Sequence, residues 1–179
     1  MSDIIYISLG STCDPRVYIT KTLGKSKKNG YKTCVFDLCI TNFNDLCNCI
    51  EDDFKHFFDN LTLIPGTNAN GDRSKCGNGN MNITNYYNMI FNHESPTHSH
   101  LHIFGEGKND DFYFIKNDYL EFKKRYNDRI NNYRNYINNH KNITFVYKKF
   151  NNDTSFDLEK LKNILNNKYS NKNINILEI

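Results

Sequence analysis

Tryptophan is absent from this 179-residue chain, alanine occurs once, and proline (3) and glycine (9) are scarce. Asparagine takes their place with thirty residues, beside abundant lysine, isoleucine, tyrosine and phenylalanine. Codon usage in an A+T-rich genome produces that bias, so it describes the source and not the chemistry. No apolar run approaches the roughly 18–20 residues of a membrane span, and no membrane partner is expected. The start, Met-Ser-Asp-Ile-Ile-Tyr-Ile, lacks the basic flank and apolar core of a secretory leader. A soluble, intracellular protein is the expectation. Nor does one sign of charge dominate. Lys+Arg 23 against Asp+Glu 20 leaves +3, with acidic residues interleaved among the lysines, and a pI near 8.4 is too mild for a dedicated nucleic-acid binder. No cysteine follows position 76. Of the six, Cys34, Cys39 and Cys47 lie in apolar-periodic segments, which reads as reduced thiols and not a disulfide framework.

What is present suffices for a core. Hydrophobic residues reach only 38%, but aromatics make up 14%, with 12 tyrosines and 13 phenylalanines. Asp3–Leu9 is a β-branched run ending in Gly10, which predicts a buried strand. Ser11 or Thr12 can cap the helix that follows, with Pro15 in its first turn. Thr33–Ile40 predicts a second strand, with Val35–Ile40 central. A helix is expected from Asn42 or Asn44 to about Asp59. Leu61–Ile64 predicts a strand, Thr67–Asn82 a mobile Gly/Asn-rich loop or lid, and Tyr86–His93 a strand or short helix. Leu101–Phe104 is a further strand candidate. Asp118–Asn139 carries the clearest helical period, followed by a strand at Asn142–Tyr147, a helix at Asp157–Tyr169 and a strand at Ile174–Ile179. Neither a repeat nor a linker divides the chain. The expectation is one α/β domain over residues 1–179, its sheet mainly parallel with helices on both faces.

The chemistry gathers at Ser8-Leu9-Gly10-Ser11-Thr12-Cys13. A strand, a Gly turn and a helix place Cys13 at a helix N-terminus beside the carboxyl end of a strand, where open α/β sheets bind ligands. Partial positive charge there favours a thiolate, and the turn of Gly10, Ser11, Thr12 and Asp14 could hold an oxyanion or ligand. A buried structural cysteine is the plainer alternative.

That segment, with Phe36-Asp37, Tyr86-Tyr87, Phe91-Asn92-His93-Glu94 and Lys124-Arg125-Tyr126-Asn127-Asp128-Arg129-Ile130, resembles a family labelled papain-like cysteine peptidases in bacteria and large DNA viruses. The match runs in order over about Ile4–Tyr147, with Leu38 in the place of the family's Trp. The resemblance implies Cys13 as nucleophile, His93 as base and Asp37 as orienter of the imidazole, with Asn92 or Glu94 as alternative orienters. The papain label implies an α+β fold, whereas the element order favours a doubly wound sheet. Function is then a Cys–His hydrolase or acyltransferase, cutting an amide, isopeptide or ester bond through a thioester, on a peptide, ester or glycan-type substrate without a cofactor. The alternative is a non-catalytic binding module with an anion or glycan pocket at the Gly10–Cys13 turn. His98, His100 and His102 would share one side of an extended segment and could take a metal with Cys76 or Glu94, but solvated loop histidines are the better reading, and no metal site is assigned.

Overall fold

The computed structural model describes residues 4–65, 81–96, 105–110, 112–150 and 153–179. Three parallel strands form one sheet: β1 (Ile4–Ser8), β5 (Asn142–Tyr147) and β6 (Asn173–Glu178), in the order β1-β5-β6. Ile7 lies opposite Phe145, which lies opposite Ile176. Alternate residues of these strands go to opposite faces. Ile5, Ile7, Ile143, Phe145, Ile174 and Ile176 join the main core, while Tyr6, Val146 and Leu177 pack with Ile19 and Tyr31 on the other side. Covering both faces is why β1 reads as a nearly continuous apolar run, whereas β6, at the sheet edge, alternates Asn173-Ile174-Asn175-Ile176.

Helix α1 (Asp14–Lys21) supplies Ile19 to the smaller cluster. Helices α2 (Phe43–Glu51), α3 (Lys116–Asn139) and α4 (Leu158–Lys168) fill the main core through Leu46 and Ile50, Phe122, Tyr126 and Tyr133, and Leu161 and Leu165 respectively. Helix α3 opens on Asn117, Asp118 and Tyr119 in the left-handed region. The Asp157 side chain caps α4 by accepting from the Lys160 N–H at 3.0 Å. A second, antiparallel sheet of β2 (Thr62–Pro65), β3 (Met81–Thr84) and β4 (Ile90–Phe91) docks on α3 through aromatic edges. Phe91 meets Phe122 and Tyr126 at ring distances of 4.9 and 4.8 Å. Each such pair contributes about 0.5–1.5 kcal/mol beyond its buried area. The architecture is α/β, with helices on both faces of the parallel sheet.

Two expected elements take other forms. Val35–Ile40 is a turn and not a central strand, with a single bridge from Ile40 to Ile90. The Asp37 N–H donates to the Cys34 carbonyl at 3.2 Å, and the Cys34 N–H returns to Asp37 Oδ2 at 2.8 Å. The buried carboxylate closes the loop. The helix expected to reach Asp59 ends at Glu51, because Asp53 and Phe54 adopt positive φ, although Phe54 and Phe57 still enter the core. Between Tyr86 and His93 the chain makes turns around the short β4. The expected loop at Thr67–Asn82 falls outside the described residues except for Met81 and Asn82, which belong to β3. Leu101–Phe104, the three histidines from 98 to 102 and Cys76 also lie outside them.

Candidate functional site

After β1 the chain turns at Gly10 (φ 87°) and enters α1 on one face of the sheet; after β5 it runs through residues 148–157 into α4 on the other. Successive connections that leave to opposite faces open a crevice at the carboxyl edge of a parallel sheet. A cavity of about 740 Å³ occupies it, lined by Ser11, Thr12, Asp14 and Asn42 on one side and Lys148, Lys149, Phe150, Asp153, Thr154 and Ser155 on the other. The walls are tied together. Lys148 N–H donates to the Gly10 carbonyl at 3.1 Å, the Ser11 hydroxyl donates to the Lys148 carbonyl at 2.6 Å, and the Phe43 N–H donates to Asp153 at 3.4 Å.

Cys13 is the half-buried N-cap residue of α1; its neighbours Thr12 and Asp14 line this cavity, and Cys13 itself does not. Thr12 serves the same turn by accepting from the Asp14 N–H at 3.1 Å. Asp14 pairs with Lys148 at 2.6 Å, and that bond holds its carboxyl below the usual range. Burial and the neighbouring Asp14 charge push the Cys13 thiol up; its own backbone amide and Lys148 pull it down, but less. Burial and Asp14 thus leave the thiol above its ordinary value, opposite in direction to the pull of a helix N-terminus. The other described cysteines, Cys34, Cys39, Cys47 and Cys49, are buried, and desolvation raises each thiol further, Cys47 to about 11.

His93 and Asp37 are not among the residues that line the first cavity. Asp37 is fully buried, accepting from the Cys34 N–H, from the Tyr31 hydroxyl at 3.2 Å, and facing Arg16 Nε at 3.5 Å. Its orienting partner is a guanidinium. His93 lines a second cavity, of about 700 Å³, with Tyr31, Leu38, Glu94, Arg125, Arg129 and Asn132 among its walls. There it acts on Glu94, which Arg129 holds at 2.8 Å and Arg125 at 3.3 Å. Cys13 feels the charges of Asp14 and Lys148, and His93 acts on Glu94. Of the expected turn residues, Ser11, Thr12 and Asp14 line the first cavity, and the Gly10 carbonyl ties the turn to Lys148.

The sequence reading missed Lys148, Arg16 and the role of Arg129. Each had a signal. Lys148 follows directly on a parallel strand, where ligand-facing loops begin, and Arg16 and Arg129 interrupt otherwise apolar helix faces, where a cation needs a buried partner. No group of histidine, cysteine and carboxylate side chains among the described residues is arranged to hold a metal, and none of the described helices is long and apolar enough to cross a membrane.

Fold and crevice define an α/β protein with a cysteine at its ligand edge. A family model matches residues 4–179, and the chain belongs to that family, described as "Putative papain-like cysteine peptidase (DUF1796)". No curated protein and no solved structure matches the chain.

Proposed function

We propose that the chain is a thiol hydrolase in which Cys13 attacks an amide or ester bond held in the first cavity. The observation that carries this reading is the position of Cys13: half-exposed at the N-terminus of α1, between two residues that line the crevice, Thr12 and Asp14, while the other described cysteines are buried. Membership of a cysteine peptidase family supports it. The thiol first loses its proton to solvent. Its Sγ then bonds to the acyl carbon as the C–N or C–O bond breaks, and the leaving group takes a proton from the Lys148 ammonium, which regains one from solvent. Water hydrolyses the thioester, restores the thiol and releases the acid. Because the resting thiol is pushed up, turnover rises with pH toward and beyond the ordinary thiol range.

The test is hydrolysis of p-nitrophenyl acetate with mass-spectrometric mapping of the acetylated residue. Acetyl on Cys13, loss of turnover in Cys13→Ser, slower acylation in Lys148→Gln and faster acylation in Asp14→Asn are the expected results. Turnover that survives Cys13→Ser, or acetyl on another thiol, overturns the reading. The raised thiol favours one alternative, a non-catalytic pocket in which Ser11, Thr12, Asn42 and Lys148 hold an anion or glycan.

A further inference from the structure

We propose that the second cavity binds an oxyanion, the carboxylate or phosphate of a small ligand, through the guanidiniums of Arg129 and Arg125. The strongest sign is a missing partner. Arg129 is 7% exposed and lines the cavity; its Nη2 holds Glu94, while its Nη1 is buried with no hydrogen-bond partner among the described residues. A buried N–H left without an acceptor is costly, and native proteins rarely leave one unfilled without a ligand or water. The charge balance points the same way. Behind the cavity, Asp37 and Glu94 face Arg16, Arg125 and Arg129, so two buried carboxylates meet three guanidiniums. Among the other carboxylates in the wall, Glu106 grips Arg125 Nη2 at 2.9 Å from the solvent side with its own side chain 69% exposed, and Glu121 pairs with Lys124 instead. A ligand oxyanion would supply that charge from within, where water screens it less.

The donors are fixed before any ligand arrives. Arg125 lies over the Phe114 ring at 4.2 Å and Arg129 over Tyr126 at 4.5 Å, so little guanidinium motion remains to be lost on binding. At about 700 Å³ the cavity has the size of a small-molecule site. Leu38 stands in its wall.

The experiment measures binding alone, so its failure leaves the Cys13 reading standing. Inorganic phosphate and acetate are titrated separately into the whole protein, following side-chain ¹⁵N signals of the arginines and heat. Saturable binding of either anion that shifts the Arg129 signals is expected, and the anion that binds names the chemistry. Arg125→Gln, at the cavity's outer edge, should weaken it at least tenfold, and Leu38→Trp, which fills the space without altering charge, should abolish it. Circular dichroism and urea unfolding of each variant confirm that it folds. Saturation by neither anion, undiminished binding in both variants, or loss in Lys148→Gln with Arg125→Gln intact, which would put the anion in the first cavity, overturns the proposal.

Discussion

Two carboxylates with the same burial behave oppositely, and the count of nearby guanidiniums decides which way. Burial pushes both up. Asp37 has one guanidinium at 3.5 Å, with help from the Cys34 amide, the Tyr31 hydroxyl and more distant Arg129, and these do not restore it: its carboxyl sits at about 6. Glu94 has two, at 2.8 and 3.3 Å, with His93 nearby, and together they bring it below its usual value. A folded value near 6 against an unfolded value near 3.8 means that the native state binds the extra proton between those pH values. Stability contributed by Asp37 is therefore full below about pH 4 and falls as pH rises through 6. The loss is on the order of 3 kcal/mol at about 1.4 kcal/mol per unit. Asp37→Asn removes the titration. Urea unfolding of both proteins at pH 4.5 and 7 should show the variant gaining on the wild type at the higher pH by up to about that amount. A difference independent of pH would mean that burial does not act on Asp37 in this way.

At the scale of elements, β1, the body of α3, β5, α4 and β6 were legible because a local period matched a single buried face or a fully buried strand. Residues 33–40 and 52–59 were not. Val35, Phe36 and Ile40 are apolar, and apolar residues are buried in a turn as readily as in a strand. What folds this segment is Asp37 bonding back to Cys34 and reaching Arg16, a tertiary partner that periodicity does not contain. The same limit applies to the site. A Gly turn before a helix forms one wall of the crevice, but the far wall comes from Lys148, Lys149, Phe150, Asp153, Thr154 and Ser155, which only the strand order brings alongside. The turn itself makes a demand that can be measured. Gly10 has φ 87°, and a Cβ there would stand 2.9 Å from Thr41 Cγ2. Thr41 cannot retreat freely, because its N–H donates to the Ser11 carbonyl at 3.0 Å. Gly24 has φ 68° with nothing within 4 Å of such a Cβ. Gly24→Ala should thus lower stability by about 1 kcal/mol, the backbone cost, and Gly10→Ala by about 2–3 kcal/mol. Equal losses in chemical denaturation would show that the Thr41 contact yields.

For the molecule as a whole, the buried charge cluster is a joint. Glu94 follows β4 of the antiparallel sheet, Arg125 and Arg129 come from α3, Asp37 from the turn before α2, and Arg16 from α1, one helical turn after Cys13. Elements from both cavities therefore meet in one electrostatic network. Edge-to-face contacts between Phe91 and α3 hold the same sheet, and the ion pairs from Glu94 to Arg125 and Arg129 add a second tie to α3. Such pairs add little net stability over an apolar replacement, yet breaking one partner strands the other charge away from water. Glu94→Gln should consequently cost about 3–5 kcal/mol, because Arg129 stays buried with no carboxylate. Removing an exposed pair, Lys116→Gln against Asp110, should cost no more than about 1 kcal/mol. The decisive comparison is the double variant Glu94→Gln with Arg129→Met. If the cost of Glu94→Gln is the stranded guanidinium, the double variant unfolds at higher urea concentration than Glu94→Gln alone. If instead the two losses add, the glutamate stabilises the fold through its hydrogen bond from Tyr126, at 3.1 Å, and the cluster is not the joint.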